Sequence, residues 1–193
     1  MKPVDYARLA KRAYTDTPTI GREDTAARAI VYGDAVGFPG TDNLACWLAD
    51  LDIKTVLVEA MGELHAGFWT AFRTIENELM SLEAVNVTLG HSEGAALAIL
   101  YGAALCIAGR PPKAVYAFEP PRVSMDGTLA DLFVAHGVSL FLTQNGEDVV
   151  PMVPRIPSAW QHPGQLQKIG KPSFPFPNVD DHMIDRVIEA LNG

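Results

Sequence analysis

The stretch that decides the fold of this chain is Ala84-Val85-Asn86-Val87-Thr88-Leu89-Gly90-His91-Ser92-Glu93-Gly94. The apolar side chains at positions 85, 87 and 89 alternate with the period of a β-strand, and the apolar run over residues 95–108 predicts a buried helix. The corner between them has the pattern G-x-S-x-G, which presents a serine hydroxyl at the carboxyl edge of a parallel sheet. Its glycines are required because so sharp a bend strains the serine and leaves room only for small neighbours. An ordinary strand-to-helix turn in a non-catalytic α/β protein is the alternative interpretation.

Length and composition indicate a globular chain of 193 residues, which we expect to form a single domain over residues 1–193. A net charge of −8 without a basic cluster argues against nucleic acid as a partner and would repel anionic membranes. The longest apolar run, 14 residues at positions 95–108, is too short to span a bilayer, so no stable membrane insertion is expected. No pattern in the sequence indicates an oligomeric state.

Residues 1–14 lack the apolar core of a secretory signal, and two cysteines, Cys46 and Cys106, are too few for a disulfide framework. We therefore expect a cytoplasmic location by default, with release or non-standard export as the alternative. The five histidines lack the i, i+4 spacing of a helical metal site, so neither a metal nor another cofactor is predicted.

Strand patterns alternate with helix patterns along most of the chain. This order predicts an α/β fold with a mostly parallel central sheet and helices on both faces. Seven of the fourteen prolines lie between residues 151 and 177, which predicts irregular chain there with at most a short strand near residues 166–169. The predicted helices are 3–14, 44–51, 65–82, 129–136 and 179–191, besides that after the corner, and the other strands are 30–32, 35–38, 55–60, 114–118 and 138–143.

A serine hydroxyl needs a base to accept its proton and an acid to orient that base. On sheets of this kind the chain order is serine, acid, histidine. The histidines after Ser92 are His136, His162 and His182, and His182 is favoured because it stands at a loop-to-helix junction near the end of the chain. His136 is expected to close a helix, and His162 to lie at the surface among prolines.

The acid predicted for this histidine is Asp148, which follows a buried strand through Asn145-Gly146. Its neighbour Glu147 is expected to be a solvated charge. Asp180 and Asp181 are expected to be charges at a helix N-terminus, although Asp181, beside His182, remains a rival acid.

An oxyanion in this site would require two backbone N–H donors. Glu93, the residue after the serine, supplies one, and the loop Phe38-Pro39-Gly40-Thr41 is the best-placed source of the other. A plain turn with Asp42 or Asn43 as a helix cap is the alternative for that loop.

His91, Phe38 and Trp47 are predicted substrate contacts. A wider apolar wall could include Trp47, Trp160, Phe174 and Phe176, or these aromatic residues could be scattered through core and loops.

Several motifs in this order together resemble the class 3 (fungal-type) lipases. They are Phe38-Pro39-Gly40-Thr41, Trp47-Leu48-Ala49-Asp50-Leu51, His65-Ala66-Gly67-Phe68, Gly90-His91-Ser92, Asn145-Gly146-Glu147-Asp148-Val149-Val150-Pro151 and Asp181-His182. The resemblance implies an α/β-hydrolase fold and hydrolysis of carboxylic esters. It also implies Ser92 as nucleophile, Asp148 as acid, His182 as base, Thr41 as oxyanion residue and the helix after Thr41 as a lid.

The chain departs from the family pattern around the site. Pro39 stands where the family usually has Arg, Glu93 replaces a leucine, and Ala95 replaces a glycine. Because the lid region at residues 42–52 is short and Glu93 adds a charge, short- to medium-chain esters or glycerides are the expected substrates. The alternatives are a phospholipase or acyltransferase with the same triad, or a binding module in which the triad is silent.

Overall fold

The computed structural model describes residues 1–23, 25, 27–41, 43–50, 53–155, 158–175 and 177–193, and for residues 45, 49 and 50 it describes the backbone alone. The helices in this part of the chain are α1 (Pro3–Arg12), α2 (Leu44–Asp50), α3 (Ala66–Met80), α4 (Glu93–Ile107), α5 (Thr128–Ala135) and α6 (Ile184–Asn192). The strands are β1 (Ile20–Gly21), β2 (Arg28–Tyr32), β3 (Ala35–Phe38), β4 (Thr55–Val58), β5 (Gly62–His65), β6 (Val87–His91), β7 (Ala114–Phe118), β8 (Ser139–Asn145) and β9 (Leu166–Ile169). A short 3-10 helix spans Val150–Met152.

The main sheet has the order β1-β2-β3-β6-β7-β8-β9. The first three strands are antiparallel neighbours, and from β3 to β9 every pairing is parallel. Phe38 pairs with Gly90, His91 with Phe118, and Phe118 with Thr143, so the carboxyl ends of four neighbouring strands lie at one edge. This arrangement confirms the predicted mostly parallel α/β sheet and collects the residues that follow these strands at one edge.

Helices cover both faces of the sheet. The side chains of α4 are buried from Gly94 to Cys106, and this helix packs between α3, α5 and strands β3, β6 and β7. On the opposite face α1 and α6 pack against each other and against the sheet. A helix with no polar stripe must be enclosed on all sides, and the apolar run over residues 95–108 predicted that burial.

The predicted strand at residues 55–60 ends earlier, and it pairs outside the main sheet. Strand β4 forms a separate antiparallel hairpin with β5, a strand that the sequence did not indicate. Ala60 (φ +62°) and Gly62 (φ +83°) supply the left-handed backbone of the connecting turn. The helix predicted from residue 65 begins at Ala66, because His65 is its N-cap and accepts a 3.4 Å hydrogen bond from the Phe68 N–H.

The last helix begins five residues later than predicted. Asp180 and Asp181 therefore precede it, and the prediction that both are charges at the N-terminus of this helix is wrong. This carboxylate accepts the Ser173 and Glu147 N–H groups instead, and Asn178 Oδ1 accepts the Asp181 N–H at 2.8 Å. These bonds hold a non-helical turn, so His182 lies on a loop before α6.

The helix predicted over residues 44–51 is present as α2. Asn43 caps it by accepting the Cys46 N–H at 3.1 Å. The alternative cap, Asp42, and the last predicted residues of the lid region, Leu51 and Asp52, lie outside the described residues.

Candidate active site

Ser92 stands on the bend between β6 and α4 with φ +59° and ψ −130°, a conformation that non-glycine residues rarely adopt. The flanking glycines leave no room for a side chain. A Cβ atom on Gly90 would lie 2.2 Å from Gly94 O, and one on Gly94 would lie 2.3 Å from Phe38 O. The strained serine and its two glycines are what the G-x-S-x-G pattern predicted.

His182 and Asp148 form a buried hydrogen-bonded pair at the same edge of the sheet. His182 Nδ1 lies 2.7 Å from Asp148 Oδ2, while Asp148 Oδ1 accepts the Val150 N–H at 3.0 Å. Because the carboxylate is an acceptor, the imidazole donates through Nδ1. The Nε2 atom of the neutral ring is then free to accept a proton.

Two buried polar atoms lack a hydrogen-bond partner within the described part of this site. They are the Ser92 hydroxyl oxygen and His182 Nε2. The His182 ring lies 4.5 Å from the ring of His91, which precedes Ser92 in the chain. A potential nucleophile and an available base are therefore left without competing partners, as general-base activation of a serine requires.

His91 connects the loop that carries His182 to Tyr14 through its two ring nitrogens. Its Nε2 lies 2.7 Å from the His182 carbonyl oxygen, and its Nδ1 lies 2.6 Å from the Tyr14 hydroxyl. A carbonyl can only accept, so Nε2 carries the proton and Nδ1 accepts from the tyrosine. Burial, together with the nearby His182, lowers the His91 pKa well below its ordinary value, and the ring is neutral.

A cleft of about 300 Å³ opens beside these residues. It is lined by Lys11, Tyr14, Thr15, Thr41, Leu44, His91, His182, Met183 and Ile184. The predicted oxyanion residue Thr41 and the predicted substrate contact His91 therefore border the cleft. Phe38 lies in the core against Tyr101, and Trp47 stacks on Phe68 at 6.1 Å, so the structure does not bring these two residues to it.

The loop over residues 38–41 runs against the serine. A Cβ atom on Gly40 would lie 2.9 Å from the Ser92 Cβ, and Thr41 follows at the cleft wall. Glu93 is the first residue of α4, where backbone N–H groups have no acceptor within the helix. Burial raises the pKa of the Glu93 carboxyl above its ordinary value. The two predicted oxyanion residues thus stand on segments that meet at Ser92.

The other histidine candidates lie elsewhere. His136 is exposed at the end of α5, with Nδ1 2.9 Å from Leu132 O, as expected. His162 is half-buried rather than at the surface. Its Nε2 lies 2.8 Å from Pro151 O, and burial lowers its pKa to about 4.

The predicted aromatic wall does not form as one surface. Trp160 is buried against His65, with ring centroids 5.5 Å apart, whereas Phe174 is exposed. Phe176 lies outside the described residues.

Tyr14, Lys11 and Glu119 belong to this region but were not predicted as site residues. Tyr14 and Lys11 come from the first helical segment, and the sequence gives no signal that this segment reaches the sheet edge. Glu119 carries a signal that could have been used. It is an acid directly after a buried strand, which is the rule that selected Asp148.

Groups of three or more His, Cys, Asp or Glu residues suited to a metal ion are absent from the described residues. Within the same ranges, every helix is too short or too polar to cross a bilayer.

Solved structures share this architecture. Lipase II from Rhizopus niveus superposes with a TM-score of 0.76, at 20% identity, covering 93% of this chain and 91% of that one. The triacylglyceride lipase of Rhizomucor miehei superposes with a TM-score of 0.74, at 20% identity and with the same coverage. Identity this low shows a shared fold.

Curated relatives correct the expected location. The secreted mono- and diacylglycerol lipases A of Penicillium cyclopium and Penicillium camembertii are each 29% identical to this chain over 161 residues. The match covers 77% of this chain and 50% of each relative, so the chain spans about half the length of these relatives. Both are secreted proteins, and the expectation of a cytoplasmic location is wrong. The composition of residues 1–14 and the low cysteine count were poor guides to location.

A sequence model of the class 3 lipases matches residues 35–158, which include the loop before α2, the serine bend and Asp148. This match covers more than half of the chain, and it agrees with the sheet order and the strained serine. The chain belongs to the class 3 lipase family.

Proposed function

We propose that this chain hydrolyses carboxylic esters of acylglycerols through an acyl-enzyme formed on Ser92. The observation that carries the proposal is the bonding state of three buried groups. Asp148 fixes His182 through Nδ1, while His182 Nε2 and the Ser92 hydroxyl have no other partner among the described residues. This state supports His182 as the base, Asp148 as the group that orients it and Ser92 as the nucleophile.

The proposed reaction has two halves. His182 Nε2 removes the Ser92 proton as the oxygen attacks the ester carbonyl, and the same proton is then donated to the departing alcohol. In the second half, a water molecule attacks the carbonyl of the acyl-enzyme while His182 Nε2 removes a proton from it. The same proton is then donated to the Ser92 oxygen as the fatty acid is released. The N–H groups of Glu93 and Thr41 receive the oxyanion, a function supported by the free N-terminus of α4 and by the approach of the 38–41 loop to Ser92.

The size of the cleft supports short- to medium-chain esters. Its volume of about 300 Å³ is at the lower end of the range of roughly 300–1,000 Å³ for small-molecule sites. Leu44, Met183 and Ile184 give it apolar walls. The names of the Penicillium relatives support mono- and diacylglycerols as substrates and a secreted location.

A series of chromogenic esters from acetate to palmitate tests the preference for short to medium acyl chains. A maximum at the longest chains, with activation by an oil surface, would contradict it.

Labelling with a fluorophosphonate tests the nucleophile directly. We expect the native protein to be labelled and to turn over esters, and we expect Ser92→Ala to lose both properties while keeping its melting temperature. The matched control is Ser139→Ala, which removes an exposed serine at the start of β8 and should label and turn over normally. Equal labelling of native and Ser92→Ala protein would exclude Ser92.

The same experiments separate the two alternative functions. A silent binding module would give no labelling of the native protein. A phospholipase or acyltransferase would label at Ser92 but prefer phospholipids, or transfer the acyl group to an added alcohol rather than to water.

A further inference from the structure

Glu119 is a buried carboxyl group between the strands that carry Ser92 and Asp148. It directly follows β7, which lies between β6 and β8 in the sheet, and it is 0% exposed. Its backbone has φ +53°, outside the regions that glutamate normally occupies. A strained conformation of this kind persists only where the surrounding structure holds it, and such residues cluster at functional sites.

Both carboxylate oxygens of Glu119 accept hydrogen bonds from strand β8. Thr143 Oγ1 donates to Oε1 at 3.1 Å, and the Asn145 N–H donates to Oε2 at 2.8 Å. The carboxyl of Asp148 lies within interaction range of the same group, so a proton on one of the two carboxyls could be shared between them. Glu119 therefore touches the residue that orients His182, although it does not touch His182 itself in these contacts.

Two buried carboxyl groups in contact do not both ionise, because like charges in a poorly solvated site repel each other. Each carboxyl accepts two hydrogen bonds from other residues, but only Asp148 accepts from an imidazole, whose positive charge when protonated favours an ionised partner, so the proton fits Glu119 better. Burial, and then the charge of Asp148, raises the pKa of Glu119 well above its ordinary value.

We propose that Glu119 is a positioning residue, a protonated acid that donates a hydrogen bond to the Asp148 carboxylate and fixes it against His182 Nδ1. The bond leaves Asp148 charged and limits its rotation, so the imidazole keeps the orientation that serine activation needs. The effect on turnover rests on the proposed function. The protonation of Glu119 and its bond to Asp148 do not.

A pair of variants at this position separates protonated from ionised glutamate. Glu119→Gln keeps the shape, its amide nitrogen can donate to Asp148, its oxygen can accept from Asn145, and the Thr143 hydroxyl can turn to accept. Glu119→Met has a similar volume but neither donor nor acceptor. We expect Glu119→Gln to keep kcat near that of the native protein. Glu119→Met should lower kcat by roughly tenfold to 100-fold, the usual effect of losing an outer-shell partner, with KM little changed.

An ionised Glu119 predicts a different pattern. Both substitutions would then remove the same negative charge and would change kcat alike. Equal kcat values for the two folded variants would therefore overturn the proposal.

Infrared spectroscopy tests the proposal without turnover. In the Ser92→Ala background at neutral pH we expect the carbonyl band of a protonated carboxylic acid. Glu119→Gln should abolish this band, and Asp148→Asn should shift it because the acceptor of the bond has changed. A missing or unshifted band would overturn the role of Glu119. Inactive native protein that shows the band would instead contradict the proposed ester hydrolysis.

Discussion

Asp181 stabilises the loop that carries His182. Its carboxylate accepts hydrogen bonds from the Ser173 and Glu147 N–H groups and from the Asn178 side chain, and it pairs with Arg186 at 3.3 Å. Burial raises the pKa of this carboxyl, but the hydrogen bonds outweigh burial and lower it from 3.8 to about 2. A carboxylate with a lowered pKa stabilises the folded state at pH values above its unfolded pKa and loses this contribution as the pH falls through about 2.

We therefore expect Asp181→Asn to lower the free energy of unfolding at pH 7 by about 2 kcal/mol. Urea unfolding at a series of pH values should show the difference shrinking as the pH is lowered below 4. Asp180→Asn, at the exposed neighbouring residue, is the matched control and should resemble the native protein. A difference for Asp181→Asn that stays constant across the series would contradict this account.

Single residues were predictable where chain order limits the choice. The order serine, acid, histidine selected the residues of the proposed triad, and the structure joins Asp148 to His182. Asp181 was misassigned because two of its partners, at positions 147 and 173, lie outside the few residues that a helix-start pattern covers. The proton on Glu119 depends on two adjacent strands, so no local pattern could have shown it.

Strands β3 and β6 and helix α4 approach one another closely at Gly94. This close approach is possible because glycine has no side chain. A Cβ atom there would lie 2.3 Å from Phe38 O and 2.4 Å from Pro39 O, which are backbone atoms that cannot turn aside. We expect Gly94→Ala to displace the 38–41 loop, to destabilise the protein by about 1–3 kcal/mol and to reduce kcat, because Thr41 moves away from Ser92. Thermal unfolding and ester turnover measure the two effects.

Gly127 provides the matched control. It precedes α5 with φ −77°, and a Cβ atom there would have no heavy atom within 4 Å. Gly127→Ala should keep full turnover and change the free energy of unfolding by less than about 1 kcal/mol, because the weaker helix cap and the smaller entropy of the unfolded chain oppose each other. Equal stability and activity of the two alanine variants would show that the elements tolerate a wider separation.

Elements with a strong period were the most predictable. Strand β7 has the predicted bounds, and α4 follows the predicted apolar run closely. The hairpin of β4 and β5 was missed because its turn depends on left-handed backbone at Ala60 as well as at Gly62. The start of α6 was misplaced because tertiary hydrogen bonds to Asp181 override local helix propensity.

The molecule as a whole has two apolar clusters on opposite faces of one sheet. Alternate residues of the same strand belong to different clusters. In β7, Val115 and Ala117 face α4, whereas Phe118 and the half-buried Tyr116 contribute to the cluster below α1 and α6. If the shared strands unfolded, the apolar residues of both clusters would be exposed to water. The expectation of a single domain over residues 1–193 therefore becomes a prediction about cooperativity.

We expect one unfolding transition in scanning calorimetry, with equal calorimetric and van't Hoff enthalpies. Far- and near-ultraviolet circular dichroism should report the same midpoint. Two separated transitions, or midpoints that differ between the two probes, would show that the faces unfold independently.

The strand and helix periods in the sequence predicted that both faces of the sheet would be covered by apolar packing. They did not predict that α1 pairs with α6, because these helices lie far apart in the sequence and no local pattern indicates their contact.

The fixed tautomer of His91 limits the routes by which a proton can move at the carboxyl edge of the sheet. Its two nitrogens are already committed, one to a phenol and one to a peptide carbonyl, so this imidazole is insulated from its neighbour despite the short distance between the rings. Under the proposed function, the proton that His182 takes from Ser92 has no relay through His91 toward the interior. It leaves from the face on which it arrived, toward the departing alcohol.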